Sequence, residues 1–230
     1  MKDDVLEPIT KSSLEAQAAD LIRDRIVKGG LGLGERLVET PLAERYGLSR
    51  GTIRAALRRL IDEGLVHQVP YSGYRVVDFS NHDLWEIYTL RGTLEALGAR
   101  LAAEQITPDG VKQLRQAFEA LVAAAEREDQ AEASRLDHEL HLLIISMAGN
   151  DRLAQHYARI ENQFRAYVAL SNRATEAHDI AESHRALVDS ICAGDASRAA
   201  SLAQANIMPL CGDAAESPHD DPYDSAWTEQ

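Results

Sequence analysis

Three arginines in the first third of the chain have the spacing and chemistry to bind a nucleic acid. Arg50, Arg54 and Arg58 follow one another at intervals of four residues, so a helix would carry them on one face. Thr52 would join Arg50 in the first turn of that helix. A guanidinium group donates hydrogen bonds in a planar fork, which suits both the O6 and N7 atoms of guanine and a phosphate. The alternative interpretation is an ordinary solvated face.

Polar residues in the second half of the chain could hold a metal ion. Asp137 and His141 are one helical turn apart, and a carboxylate and an imidazole are common ligands of divalent metals. His184 and Asn206 each lie in the middle of the apolar face of a later predicted helix. Buried polar groups need partners. The alternative is that each is a core residue satisfied by a hydrogen bond.

Local signals predict the elements that carry the arginines. A first helix over about Leu14 to Ile26 ends at the Gly29-Gly30 pair, and a short helix fits ETPLAERY. The next helix is capped by Ser49 and ends at Gly64. The segments LVHQVP and YRVVDF, which flank a Tyr-Ser-Gly turn, predict a β-hairpin. This order is that of a winged helix-turn-helix, with Tyr71, Gly73 and Arg75 available in the wing for phosphate or the minor groove.

The rest of the chain has helical periodicity almost without interruption. Six helices are predicted, at roughly 82 to 104, 108 to 127, 130 to 148, 151 to 172, 179 to 193 and 196 to 210. The predicted fold is therefore mainly α, a winged helix-turn-helix followed by an all-α bundle. Its expected segments are an N-terminal arm (1–13), the DNA-binding domain (14–78), the helical domain (82–212) and an acidic, disordered tail (213–230).

Charge is divided unevenly along the chain. Residues 1–78 carry as many basic as acidic side chains, so the whole net charge of −13 belongs to residues 79–230. The stretch from 36 to 75 contains seven arginines against four acidic residues, which favours contact with a phosphate backbone. The longest apolar run is too short to span a bilayer, and the two cysteines form no CxxC pair. We expect a cytoplasmic protein with no membrane partner.

The first domain resembles a known family of regulators. The stretch GERLVETPLAERYGLSRGTIRAALRRLIDEGLVHQVPYSGYRV is similar to the DNA-binding domain of the GntR family. The family pattern is present as Ser49, Arg50, Gly51, Thr52, Ile53, Arg54, Ala56 and Leu57. Two positions depart from the family pattern. Thr40 stands where many members have an arginine that contributes to DNA binding, and Gly51 replaces a more common threonine. The candidate DNA-contacting residues are Thr40, Ser49, Arg50, Thr52, Arg54, Arg58, Tyr71, Gly73 and Arg75.

The second domain resembles the FCD effector domain of the FadR subfamily. The segments LDHELHLLIISMAGNDRL and ESHRALVDSICAGDASRAA carry the resemblance, and six helices suit the VanR-like branch. The resemblance implies that Asp137, His141 and His184 are metal ligands, with zinc expected first and manganese or nickel as alternatives. Asn206 stands where the family has a fourth ligand, usually histidine, and its amide oxygen is a weaker donor for zinc.

The same resemblance places Arg91 at the effector pocket. A fixed, bidentate donor there implies a carboxylate effector. The alternative for Arg91 is a surface side chain paired with Glu95 at i+4.

Together these features predict a transcriptional regulator. A homodimer would bind double-stranded operator DNA of pseudo-palindromic sequence, most simply as a repressor, and a small organic acid would control that binding.

Two other classes compete with this prediction. The His-Asp doublets at 82/83, 178/179 and 219/220, together with His141 and His184, suggest a helical metal-dependent phosphohydrolase. The spacing of the doublets does not support that enzyme, and one of them lies in the acidic tail. A purely structural helical adaptor would leave the arginines and the buried polar residues unexplained.

Overall fold

The computed structural model describes residues 13–171 and 177–207. The chain divides into two compact units, an N-terminal unit of residues 1–78 and a C-terminal unit of residues 79–230. The predicted arm and tail lie almost entirely outside the described residues. None of the described helices is long and apolar enough to cross a membrane.

The N-terminal unit contains three helices and a small antiparallel sheet. Its elements are α1 (Leu14–Val27), β1 (Arg36–Leu37), α2 (Glu39–Tyr46), α3 (Arg50–Asp62), β2 (Val66–Val69) and β3 (Gly73–Val76). The strand order is β1-β3-β2, with Arg36 opposite Arg75 and Val66 opposite Val76. The sequence did not indicate β1, because two residues are too short for a periodic signal and β1 exists only through its pairing with β3. This is a winged helix-turn-helix.

The apolar face of α3 fixes this helix to the rest of the unit. Ile53, Leu57 and Leu60 have no solvent exposure and contribute to the core together with Ile22 and Ile26 of α1. The turn from α2 to α3 is tight because Gly47 ends α2 in the left-handed conformation, with φ of 64°. Burial of the apolar stripe therefore leaves the opposite face of α3 turned to solvent.

The C-terminal unit is helical throughout its described part. It contains α4 (Asn81–Glu104), α5 (Pro108–Glu126), α6 (Gln130–Met147), α7 (Asp151–Ser171), α8 (Ala177–Cys192) and α9 (Ala196–Ile207). The helix bounds agree with the predicted ones within two residues, except that the predicted end of the last helix lies outside the described residues. The mainly α fold is confirmed.

Helix α4 is the central element of this unit. It packs against α6, α7, α8 and α9. Gly98 of α4 gives room to a side chain of α6, because a Cβ atom there would lie 2.5 Å from Cδ1 of Ile145 and would displace it. Polar side chains on the inner face of α4 therefore reach the interior of the bundle.

Candidate DNA-binding surface and buried metal centre

The predicted arginine face, defined here as Arg50, Arg54 and Arg58, is exposed on α3. Ser49 begins the helix, since its Oγ atom accepts a hydrogen bond from the backbone N–H of Thr52 at 3.0 Å. The hydroxyls of Ser49 and Thr52 are also 2.8 Å apart. Both side chains thus have a local structural role at the N-terminus of α3.

Two arginines of this face are held by an acidic side chain that the sequence analysis did not select. Glu39, at the start of α2, accepts hydrogen bonds from Nε and Nη2 of Arg54 at 2.7 and 2.8 Å. Arg50 Nη2 lies 3.5 Å from the same carboxylate. The hydrogen bond from Arg54 lowers the pKa of Glu39, so this carboxyl stays ionised. Sequence spacing gave no signal, because Glu39 and Arg54 belong to different helices.

The wing places its predicted residues in different environments. Tyr71 is fully exposed at the tip and has a positive φ of 59°, and Gly73 has a φ of 90°. Arg75 is instead half-buried, and its Nη1 donates a hydrogen bond to the carbonyl oxygen of Gly34 at 2.9 Å. Arg36, which the sequence analysis did not select, donates from Nε to the carbonyl oxygen of Ser72 at 3.0 Å. Two arginines therefore brace the wing.

A cleft of about 280 Å³ lies between the starts of α2 and α3 and the wing. Its lining residues are Arg36, Leu37, Val38, Glu39, Thr40, Arg50, Arg54, Tyr71, Ser72, Gly73 and Tyr74. Thr40, the position where the family commonly has arginine, is exposed at this cleft. Hydroxyl and guanidinium donors at its edge are suited to a phosphodiester backbone.

The predicted metal ligands converge in the C-terminal unit. The Nε2 atoms of His141 and His184 lie 2.9 Å apart, although 43 positions separate the two residues. Asp137 Oδ1 lies 3.2 Å from His184 Nε2 and 3.7 Å from His141 Nε2. Asn206 Nδ2 lies 2.8 Å from His184 Nε2. Four side chains from α6, α8 and α9 therefore meet at one point.

Hydrogen bonds to the far side of each imidazole ring orient both histidines toward that point. Nδ1 of His184 donates to the carbonyl oxygen of Ile180 at 2.7 Å, and Nδ1 of His141 donates to Oε2 of Glu95 at 2.8 Å. Both acceptors lack a proton to give, so each Nδ1 carries the hydrogen. In the neutral ring the lone pair of Nε2 then faces the centre, which is the arrangement of metal-bound histidine.

The dimensions of the centre suit a small divalent ion. Ligand atoms at metal distances of about 2.0–2.1 Å are about 2.9–3.4 Å apart in octahedral or tetrahedral geometry. The observed separations of 2.9 and 3.2 Å lie within this range, and the third, 3.7 Å, is slightly longer. Asp137 Oδ1 is buried and has no hydrogen-bond partner among the described residues. Burial lowers the pKa of His184, which favours the neutral ring that can bind a metal, whereas at His141 burial is outweighed by the charges of Glu95 and Asp137, which raise the pKa. The residues present therefore fit a metal ion.

Arg91 is buried beside this centre rather than exposed. Only 2% of the residue is accessible to solvent, and its guanidinium carbon lies 4.0 Å from the centroid of the Phe164 ring. Its Nε donates to Oε1 of Glu95 at 2.7 Å, so the i+4 pair that the alternative interpretation expected does form, but in the interior. Nη1 of Arg91 is buried without a hydrogen-bond partner in the described structure.

Glu95 links Arg91 to the candidate metal centre, a role that its sequence position alone did not reveal. Oε1 of Glu95 accepts a hydrogen bond from Nε of Arg91 and lies 2.9 Å from the hydroxyl of Tyr157. Oε2 of Glu95 accepts a hydrogen bond from Nδ1 of His141. Burial alone would raise the pKa of Glu95, but the charges of His141 and Arg91 lower it to about 2. In the sequence, the position of Glu95 four residues after Arg91 was the one indication that the two side chains interact.

The polar network extends further along α7. Glu161 is buried, lies 3.4 Å from Arg91 Nε, and accepts a hydrogen bond from Nδ1 of His138 at 2.7 Å. Tyr157 has no solvent exposure, and its hydroxyl also lies 3.2 Å from Oε2 of Glu161, so its single proton is placed between the two glutamates. Nothing in the local sequence distinguished these residues from solvated charges on an amphipathic helix.

The His-Asp doublets do not join the centre in the described residues. Asp83 forms a capping box with Ser80 at the start of α4, where it stabilises the helix end. His178 and Asp179 are exposed, and the third doublet lies outside the described residues. The group that could hold a metal is Asp137, His141 and His184. The geometry that a phosphohydrolase would need is therefore not formed by the described doublets.

Comparison with protein families agrees with both units. Residues 14–76 match the bacterial regulatory proteins of the gntR family, and residues 86–207 match the FCD domain. The chain belongs to the GntR family of transcriptional regulators and carries an FCD domain. The matched domains are those of transcriptional regulators and not of enzymes.

Individual relatives cover most of the chain. A probable transcriptional repressor of a D-xylose utilization operon from Paenarthrobacter nicotinovorans is 29% identical over 187 residues, which are 81% of this chain and 82% of the relative. The transcriptional repressor GlaR of Escherichia coli is 26% identical and covers 81% of this chain and 89% of its own. The solved structure of E. coli McbR/YncC has a TM-score of 0.76 at 21% identity, over 90% of this chain and 99% of that one. It has the same fold.

Proposed function

We propose that the chain is a repressor whose homodimer binds a pseudo-palindromic operator, and that a small carboxylate effector in the C-terminal unit controls this binding. The observation that carries the proposal is the exposed arginine face of α3, whose first two members lie in the N-terminal half of the helix. In a helix-turn-helix, this part of the second helix meets base edges in the major groove. Arg50 and Arg54 are assigned to bases, and Arg58 to phosphate.

The remaining candidates would support the docking of α3. Thr40 and the wing residues Tyr71 and Gly73 are exposed and available to the sugar-phosphate backbone or the minor groove. Arg75 would act by bracing the wing through Gly34. Ser49 and Thr52 would act mainly by forming the N-terminus of α3. Two relatives named as repressors support repression as the outcome.

The effector assignment rests on Arg91. A buried guanidinium group with an unpaired Nη1 is unfavourable, because a buried donor without an acceptor loses its hydration. Contacts with Glu95 and Phe164 fix the side chain before any ligand arrives. A carboxylate of a small organic acid would provide the missing acceptor and would be recognised by charge as well as by geometry.

A divalent metal is proposed as part of the same sensor. Asp137, His141 and His184 would hold it, with Asn206 as a weak fourth ligand, and zinc, manganese and nickel are the candidates. The ion would supply a Lewis-acidic centre for oxygen atoms of the effector. Glu95 would orient His141 for this role and would also hold Arg91, so that the arginine and the metal centre respond to one another.

The proposal can be tested with the intergenic DNA next to the gene for this chain. Mobility shift should detect a specific complex, and small organic acids should release or weaken it in the wild type. Arg91→Lys keeps a positive charge beside Glu95 and Glu161, so it should bind DNA, but without the guanidinium fork it should lose the response to the acid. Arg100→Lys, on the exposed surface of the same helix, is the matched control and should keep the response. A protein that binds this DNA no better than unrelated DNA would contradict the proposed function.

A further inference from the structure

An acidic side chain lies inside a surface that must approach DNA. Among the residues that line the cleft between α2, α3 and the wing, all within the described chain, Glu39 is the one acidic residue. Three arginines, Arg36, Arg50 and Arg54, line the same cleft. A carboxylate at this place repels phosphates and therefore weakens attraction to any DNA. We therefore expect Glu39 to have a role whose benefit exceeds this repulsion.

The geometry of the Glu39–Arg54 pair leaves the recognition edge of the arginine free. Glu39 binds the Nε and Nη2 atoms of Arg54, which form one side of the guanidinium group. It does not use Nη1, so the end of the fork is left for a ligand. The Glu39 side chain is 16% exposed and that of Arg54 47% exposed, so the carboxylate lies beneath the arginine.

The pair also changes the electrostatics of the cleft. Because Glu39 is ionised, it cancels the charge of Arg54 and attracts Arg50 as well, at 3.5 Å. Fewer positive charges then remain for non-specific contact with phosphates. A guanine edge can still be read, because O6 and N7 require an oriented pair of donors more than a net charge.

We propose that Glu39 is a specificity-determining positioning residue for DNA recognition, an inference that rests on the proposed function. Glu39 fixes Arg54 before binding, so less side-chain entropy is lost when the end of the fork meets guanine. The same carboxylate reduces binding to DNA that offers only phosphates. Glu39 thus lowers affinity for all DNA but increases the ratio between operator and other sequences.

The substitution Glu39→Gln tests this role, since it removes the charge with little change in shape. Glu44→Gln is the matched control, because Glu44 is an exposed carboxylate on the same helix. Dissociation constants are measured by fluorescence anisotropy at several salt concentrations, for the intergenic duplex next to the gene and for a scrambled duplex of equal length. Thermal unfolding verifies that each variant is folded.

For Glu39→Gln we expect tighter binding to the scrambled duplex and a slope of log Kd against log salt that is steeper by about 0.9, the value for one additional phosphate contact. The ratio between the two duplexes should fall by about fivefold or more, the lower bound for loss of one bidentate base contact. Glu44→Gln should leave that ratio unchanged. In an Arg54→Ala background, Glu39→Gln should have no further effect on the ratio, because Glu39 acts through Arg54.

Three results would overturn the inference, and they can be told apart. If the wild type discriminates between the duplexes and Glu39→Gln discriminates equally well, the positioning role is wrong while the proposed function stands. If the wild type itself does not discriminate, the proposed function fails and the role of Glu39 fails with it. An effect of Glu39→Gln that persists without Arg54 would also contradict positioning through this arginine.

Discussion

The two units each contain an arginine paired with a glutamate, and the pairs differ in burial. The side chains of Arg54 and Glu39 are 47% and 16% exposed, whereas those of Arg91 and Glu95 are 2% and 4% exposed. An exposed pair is screened by water and contributes little to stability, so its arginine remains accessible to DNA. A buried pair is fixed, since removal of one partner leaves the other charge unpaired in the interior. An arginine–glutamate pair can thus leave its arginine accessible to DNA at the surface, whereas a buried pair holds its arginine in a fixed position in the core.

The largest effect is expected for Arg91→Ala. This change leaves Glu95 and Glu161 buried without the arginine that both contact, and should lower the free energy of unfolding by about 3–5 kcal/mol. The matched control is Arg100→Ala on the same helix, because Arg100 pairs with Glu104 at i+4 in an exposed position. That variant should change stability by under about 1 kcal/mol. Urea unfolding followed by far-ultraviolet circular dichroism measures both, and equal effects would remove the contrast between the pairs.

The next largest effect on the free energy of unfolding is expected from metal binding at the buried centre of Asp137, His141 and His184. Zinc at about 100 times its Kd should stabilise the wild type by about 2.7 kcal/mol. Asp137→Ala and His184→Ala should abolish this stabilisation, whereas the exposed His156 can be changed to Ala without loss. Asn206→His should tighten binding, since imidazole is a stronger zinc ligand than an amide oxygen. Calorimetry and metal analysis give the readout, and zinc stabilisation that persists in His184→Ala would contradict the site.

A smaller effect, on DNA affinity and not on folding, is expected at the exposed pair. Arg54→Ala should weaken operator binding by about 5- to 150-fold, the value of one bidentate base contact. Arg54→Lys keeps the charge but loses the fork, so it should recover affinity for non-specific DNA and not for the operator. Anisotropy titrations with both duplexes separate the two contributions. Equal recovery on both would mean that Arg54 contacts phosphate only.

The smallest effect is expected for Ser49→Ala. Because the Ser49 side chain caps α3 through the N–H of Thr52, its loss should cost about 1 kcal/mol of stability in the N-terminal unit. Operator affinity should fall less than in Arg54→Ala. Ser134→Ala, an exposed serine within α6, is the control and should stay within about 0.5 kcal/mol of the wild type. A loss of operator affinity as large as that of Arg54→Ala would assign Ser49 to direct contact instead.

Much of the fold followed from local sequence signals. The predicted helix start at Ser49 coincides with a side chain that accepts a hydrogen bond from the first turn of α3. Apolar periodicity placed the arginine face on the solvent side of α3 and Asp137 beside His141. The strand β1 was missed, because its two residues are stabilised by a partner nearly 40 positions later in the chain and not by their own pattern.

The amino-acid sequence by itself determined the helices and the winged helix-turn-helix, and it placed the three arginines on one face of α3, because these features depend on spacing within one element or on short turn signals. Only the tertiary structure decided that Arg91 is buried, that His184 reaches Asp137 and His141, and that Glu39 holds Arg54. These contacts join different elements or depend on the packing of several helices around α4. Burial and long-range proximity then set the charge and orientation of each group, and no local pattern specifies either.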